Sequence, residues 1–203
     1  MKAHYIIKYT PFALIVLALV AFTAPPASKF KVDTKASTIV WTGKKVTGQH
    51  TGNVPLASGE LVIDGKTIKE GTFEIDLANL TNTDVTDQEY NAKLVNHLKS
   101  DDFFGTEKFP KATFVIGSVT PKAGNEYTVK GKLTIKGKTN DLEFPATIIN
   151  DGKQLTATAK IVVDRSKYDV RYGSKTFFEN IGDKAISDEF WLDLKLVANQ
   201  AGI

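Results

Sequence analysis

The sequence predicts an all-β domain of about eight antiparallel strands with one short helix. Three observations carry this prediction. Apolar residues recur at every second position through most of the chain, turn-forming dipeptides fall between those runs, and a single segment switches to helical spacing. No βαβ alternation, internal repeat or low-complexity linker is present, and 203 residues are in the range of one ordinary domain after a leader.

The first segment stands apart. Lys2 and Lys8 precede an apolar run from Phe12 to Ala24, which reads as a secretory signal peptide over residues 1–27, cleaved between 24 and 28. The run is shorter than the roughly 18 to 20 residues a membrane-spanning helix requires. The domain proper is then 28–203. Its strands are expected at Ser37 to Lys45, Glu60 to Ile63, Phe73 to Leu77, Ala112 to Val119, Tyr127 to Lys136, Leu142 to Ile148, Leu155 to Val163 and Phe190 to Leu196. In the fifth of these, Tyr127, Val129, Leu133 and Ile135 alternate with polar residues, and Gly131 falls on the apolar register, where a bend or a close approach suits it. Turns are expected at Asp64-Gly65, Gly124-Asn125, Lys136-Gly137 and Asp151-Gly152. The segment Gly48 to Gly52 reads as flexible from its composition.

The helical segment opens at Thr86-Asp87-Gln88-Glu89, which has the spacing of a capping box with Thr86 as the cap. Tyr90, Leu94, Val95 and Leu98 form its apolar stripe, and it is expected to end near Ser100.

Composition excludes several chemistries. The chain has no Cys, which removes disulfides, thiolate metal sites and cysteine nucleophiles. Only His4, His50 and His97 are available as imidazoles, and neither of the two in the domain sits in a spaced metal motif. Without residues 1–27 the charge is 24 basic against 23 acidic residues, since only Lys2 and Lys8 leave from 26 and 23, so nucleic acid and anionic membranes lose their electrostatic argument as primary partners. No nucleophile-elbow motif is present, and the reading is a non-enzyme without a cofactor.

A closed barrel and a sandwich both bury one face of every strand, but only the barrel can enclose a slender apolar ligand. The inward set mixes large residues (Phe73, Phe114, Tyr127, Phe144, Phe190) with small ones (Gly131, Ala146, Ala157, Ala159). Small residues can leave a lumen or make room for aromatic neighbours in a dry core, and both readings stay open at this point.

The run Leu98-Lys99-Ser100-Asp101-Asp102-Phe103-Phe104-Gly105-Thr106-Glu107-Lys108-Phe109-Pro110-Lys111-Ala112-Thr113-Phe114 resembles the signature of the YceI-like family of secreted polyisoprenoid-binding proteins. Val32-Asp33 with Ser37 and Trp41, Gly59-Glu60-Leu61, the strand Val129 to Gly137, and Asp164-Arg165-Ser166 agree with it, so the resemblance covers residues 29 to 198. It implies an eight-stranded, lipocalin-like antiparallel barrel, exported to the periplasm or beyond, whose apolar tunnel takes a polyisoprenoid or other amphiphilic lipid for transport, storage or sequestration. Transient membrane contact and a homodimer are compatible with that role. The tunnel walls would then be Phe73, Ile75, Leu77, Phe103, Phe104, Phe114, Ile116, Tyr127, Val129, Leu133, Phe144, Ile148, Ala157, Ala159, Phe190 and Leu192. Strands of about 9 residues give a length on the order of 30 Å, so a long isoprenoid would fold back or protrude. The alternative is a solid-cored secreted structural or interaction module.

The stretch from Lys167 to Phe178 is longer than the family pattern, and the only two arginines, Arg165 and Arg171, lie at its start beside 24 lysines elsewhere. A guanidinium there can donate paired hydrogen bonds to a lipid head group, or pair with Asp164, Asp169 or Asp183 to hold the loop; the second role is favoured. His97 is expected to serve structure, with Asp101-Asp102 within its reach as a turn. Lys130, Lys132, Lys136 and Lys138 read as a solvated strand face.

Overall fold

A computed structural model describes residues 27–202. The residues read as a signal peptide therefore lie outside the described part of the chain. Ten strand segments form one antiparallel sheet: β1 (Ser28–Val32), β2 (Thr38–Lys45), β3 (Gly48–Asn53), β4 (Leu56–Asp64), β5 (Thr67–Asp76), β6 (Lys111–Pro121), β7 (Glu126–Ile135), β8 (Lys138–Asn150), β9 (Gln154–Asp164) and β10 (Ile186–Gln200). The helix α1 (Gln88–Lys99) is inserted between β5 and β6.

The ten segments make eight staves of a closed barrel. β1 and β2 run one after the other along β10, with Phe30 opposite Gln200 and Ile39 opposite Leu194. β3 and β4 run back along them, with His50 opposite Gly43 and Leu61 opposite Phe30. The remaining strands follow as a meander, and the pairing of β10 with β1 closes the ring. The break between β1 and β2 has a definite chemistry. Asp33 Oδ1 accepts from the amides of Lys35 and Ala36, both at 3.0 Å, which turns the chain. The buried Ser37 hydroxyl then accepts from the Val197 amide at 2.9 Å and returns a bond to the Val197 carbonyl, replacing the ladder bonds that the turn removes.

Alternation explains the strands that were legible. Val129, Leu133 and Ile135 face inward and are buried, as are Phe144, Ala146 and Ile148 on β8. Gly131 occupies the inward register because a Cβ there would stand 2.3 Å from the Val115 carbonyl oxygen and 2.5 Å from the Phe114 ring, next to the bulge in β6. The turns fall at the four expected dipeptides, and Lys136-Gly137 carries positive φ at both residues (50° and 71°), which a two-residue hairpin favours.

Three local expectations are corrected. Gly48 to Asn53 is not a loop but β3, paired along its length with β2. Helix α1 is capped by Asp87, not Thr86: Asp87 Oδ1 accepts from the Glu89 and Tyr90 amides at 3.0 and 2.9 Å, while Glu89 pairs with Lys93 instead of folding back. Tyr90 is 67% exposed, so the covering face of the helix is Leu94, Val95 and Leu98 only.

The two barrel ends differ. Where β1 meets β10 and β4, Phe30, Leu61, Ile63, Leu155 and Ala198 are each 2% exposed or less and the core is solid. The other end carries the β2–β3 hairpin, α1, the loop after it, and the segment 165–185. The seam between β8 and β9 is the weakest closure: their register pairs run only from Thr147↔Thr158 to Asn150↔Leu155. Above it, Asn140 Nδ2 donates to the Lys167 carbonyl at 2.9 Å across the gap.

Candidate functional site

The barrel interior holds two chambers, end to end. The inner one provides about 120 Å³ of space for water centres and the outer one about 180 Å³, an order of magnitude more than a single water requires. Both are bounded by Ile39, Ile75, Leu133 and Leu192, which form a waist between them. The inner chamber is walled by apolar side chains throughout, with Phe73, Phe114 and Phe144 forming an aromatic stack along one side at centroid spacings of 6.4 and 5.6 Å. Ile116, Val129, Ile148, Ala157 and Ala159 complete the part of that wall named from sequence.

The outer chamber is reached from the helix end. Leu77, Phe103, Phe104 and Phe190 line it, as expected. It also recruits Trp41, Leu94, Leu98 and Ile186, which the sequence reading had not placed there. Trp41 is oriented by a hydrogen bond from Nε1 to the Thr81 carbonyl at 3.0 Å, and its ring lies where a Cβ on Gly52 would stand, 2.8 Å away. Phe190 and Leu192 face inward in register with Val163 and Ile161 yet remain partly exposed, because they face an open lumen. Of the sixteen wall residues named, Tyr127 alone is misplaced. It stands at the start of β7 beside the turn after Pro121, packed against the core but outside both chambers.

The two arginines separate in role. Arg165 is 4% exposed and its donors are already occupied: Nε donates to the Ser187 carbonyl (2.9 Å), Nη1 to those of Val170 (2.8 Å) and Tyr172 (2.9 Å), and Nη2 to that of Ile186 (3.0 Å). Asp188 Oδ1 faces Nη2 at 3.4 Å. Burial lowers the Arg165 pKa, and the charges of Asp188 and Asp164 oppose that effect. Arg165 borders the outer chamber, and its hydrogen bonds are committed to the fold. It ties the segment 165–187 to the barrel rim through carbonyls and Asp188, not through Asp164 or Asp183 as anticipated. Its guanidinium also stands 6.0 Å above the Phe103 ring. Arg171 is exposed, pairs with Asp169 at 2.6 Å and lies over Phe177, so it holds the loop from outside.

The other polar candidates form supports. His97 Nε2 lies 3.2 Å from Asp102 Oδ2, and its ring packs edge-on against Phe103 and Tyr172. Asp101 pairs with Lys108, and its carbonyl accepts from Lys136 Nζ at 2.7 Å; Lys136 is thus a tie between loops instead of part of a solvated stripe. Lys130 and Lys132 do lie on the outer face, each paired across strands with Glu143 and Asp141. His50 Nδ1 lies 2.9 Å from Asp84 Oδ2, while Asp84 Oδ1 accepts from the Thr51 amide and from Asn82. Burial works to raise the Asp84 pKa, but the Thr51 amide, His50 and Asn82 together hold it below the ordinary carboxylate value. Among the described residues no group of three or more His, Asp or Glu gathers in a way that could hold a metal.

Fold and site together define a single-chain, up-and-down antiparallel barrel with an apolar interior open at one end. The model of the YceI-like domain matches residues 30–198, and the chain belongs to that family. BcnA of Burkholderia cenocepacia superimposes with a TM-score of 0.65 at 27% identity, over 83% of this chain and 99% of that one. A polyisoprenoid binding domain from Saccharophagus degradans implicated in plant cell wall breakdown has a TM-score of 0.62 at 15% identity, over 85% and 98%. A UPF0312 protein of Staphylococcus aureus (strain USA300) is 45% identical over 84 residues, which are 38% of this chain and 46% of the relative, so the match spans about half the length of that curated protein.

Proposed function

We propose that this protein binds a polyisoprenoid or similar long apolar chain inside its barrel, without a chemical step, for transport, storage or sequestration. The observation that carries the reading is the pair of end-to-end apolar chambers open at the helix end and closed at the other. The polyisoprenoid binding of the Saccharophagus degradans domain, which shares the fold, supports the choice of ligand. Burial of a chain would contribute roughly 25 cal/mol per Å² of apolar area removed from water, less the entropy of ordering the chain. Affinity therefore rises with chain length until the chambers are full. The signal-like residues 1–27 support export to the periplasm or beyond, where transient contact with a membrane would suffice to load the protein.

Mass spectrometry of an organic extract from protein purified without detergent tests the reading. A prenyl or acyl species in stoichiometric amount is expected. Extracts free of lipid, together with no uptake of added farnesol, would leave the solid-cored secreted module as the better account.

A further inference from the structure

Beyond the outer chamber lies a second hollow of different character, with about 280 Å³ of space, bordered by Lys44, Lys45, Lys175, Ser187 and Asp188. The two spaces share Lys44, Lys45, Ile186 and Ser187, so the apolar cavity and this polar one adjoin across those residues. The strand period explains the junction. Ile39, Trp41, Gly43 and Lys45 share one face of β2, and the row that lines the cavity with apolar groups ends at the mouth on an ammonium. Gly43, one step inside, has nothing within 4 Å of where a Cβ would stand, so the outer chamber is open beside the last apolar step of that row.

The charges around the hollow are not compensated. Seven of the 22 lysines among the described residues pair with carboxylates, and Lys44, Lys45 and Lys175 are among the fifteen that do not, although a carboxylate, Asp188, borders the same hollow. Lys44, out of phase with Lys45, lies over the Trp191 ring on the outer face of the sheet, 4.2 Å from its centroid, which holds the ammonium at the rim without neutralising it. Of the bordering carboxylate, Asp188, Oδ2 accepts from the Thr176 hydroxyl at 2.7 Å, while the buried Oδ1 makes no hydrogen bond and is balanced by the Arg165 charge 3.4 Å away. Lys45 and Lys175, with Lys44 at the outer rim, thus border a polar hollow that adjoins an apolar tunnel, which is the complement of an anionic amphiphile.

We infer that this hollow binds the anionic head group, a phosphate or a carboxylate, of the amphiphile whose chain fills the barrel. Lys44, Lys45 and Lys175 supply the charge, and the Ser187 hydroxyl is placed to donate a hydrogen bond. The inference rests on the reading that the cavity takes an apolar chain, and it adds that charged lipids are preferred over neutral ones of equal chain length. Solvent-exposed ammonium groups contribute modestly one by one, so the three together are expected to give a preference of about tenfold.

Calorimetric titration of the wild type and of K44Q/K45Q/K175Q with farnesyl phosphate, farnesol and inorganic phosphate decides the matter. The expected result is wild-type binding of farnesyl phosphate about tenfold tighter than farnesol, a ratio that falls as salt is raised and approaches one in the triple variant. Equal wild-type affinities, or a ratio that survives the triple substitution, would overturn the head-group site while leaving the lipid-binding reading intact. Inorganic phosphate binding as tightly as farnesyl phosphate would also overturn it, since the hollow would then be a free-anion site unrelated to the tunnel. If neither farnesyl compound binds, both readings fall.

Discussion

Replacement of Arg165 by Met should destabilise the protein severely, even though Met fills most of the same space. Four backbone carbonyls, those of Ser187, Val170, Tyr172 and Ile186, would lose their donor, and Asp188 Oδ1 would lose its facing charge. Removal of one partner from a buried, charge-assisted cluster costs about 3–5 kcal/mol. A domain of this size shifts its midpoint by about 2–4 °C per kcal/mol, so the loss is on the order of 6–20 °C. Arg165→Lys should recover little of this, because one ammonium presents three donors from a single nitrogen and the four carbonyls surround a planar fork. Arg171→Met is the control: its exposed pair with Asp169 is worth less than about 1 kcal/mol. Urea unfolding followed by circular dichroism gives all three values. An Arg165→Lys protein within about 1 kcal/mol of wild type would refute the structural role assigned to the fork, and a change in head-group preference without loss of stability would return Arg165 to the ligand site.

Three further outcomes are expected. Ala157→Leu places a side chain in the existing inner chamber, so affinity for a fluorescent apolar probe should fall at least about tenfold while the urea midpoint holds or rises; a large loss of stability would mean the chamber is not free space. Gly43→Phe narrows the mouth at a position of ordinary backbone conformation, so stopped-flow uptake of the probe should slow more than its equilibrium affinity changes, and unaltered uptake would place the entrance elsewhere. Burial, aided by the charge of Asp164, pushes the Tyr168 phenol up to about 12. The folded state therefore holds that proton more tightly than the unfolded chain, whose tyrosines titrate near 10; the contribution to stability is complete below about pH 10 and is lost as pH rises toward 12. Tyr168→Phe should flatten that alkaline limb in base-dependent unfolding, and an unchanged limb would contradict the assignment.

The strands were legible where both faces speak. Val129, Gly131, Leu133 and Ile135 alternate cleanly with polar residues because one side meets the lumen and the other meets water. β3 was illegible for the converse reason. Its inward positions are His50 and Gly52, and Gly52 is required because the Thr81 carbonyl oxygen would lie within 1.8 Å of a Cβ. No hydrophobic period survives under such a constraint, and only the two glycines hinted at close packing. The cap of α1 was missed by one residue, since Thr86 and Asp87 can both cap and the choice is settled by Glu89 turning to Lys93. The rarity of arginine marked Arg165 as special, but its partners are backbone carbonyls brought round by a loop, and no residue type records where a carbonyl will point. The lysine hollow was hidden likewise: Lys44 and Lys45 come from one hairpin and Lys175 from a loop far along the chain, and only closure of the ring sets them together.

An interior that side chains do not fill carries a cost to the bare chain, because wall atoms there lack packing partners within the protein. In a domain without disulfides that cost must be offset by the ladder and the solid end of the barrel. The ladder runs the length of most staves, with eleven register pairs between β9 and β10 and ten between β7 and β8, but it falls to four between β8 and β9. Ala146, Ala157 and Ala159 line the inner chamber near this seam, where side chains are too small to lock the two strands together. The two neighbouring staves with the shortest shared ladder thus flank the part of the cavity lined by the smallest side chains. A chain lodged in the inner chamber would supply the missing contacts on the lumen side of the seam, so ligand binding and barrel closure stabilise one another through the same few residues. An apolar ligand would then act as part of the core, a role open to it because the upper halves of β8 and β9 are not paired with each other.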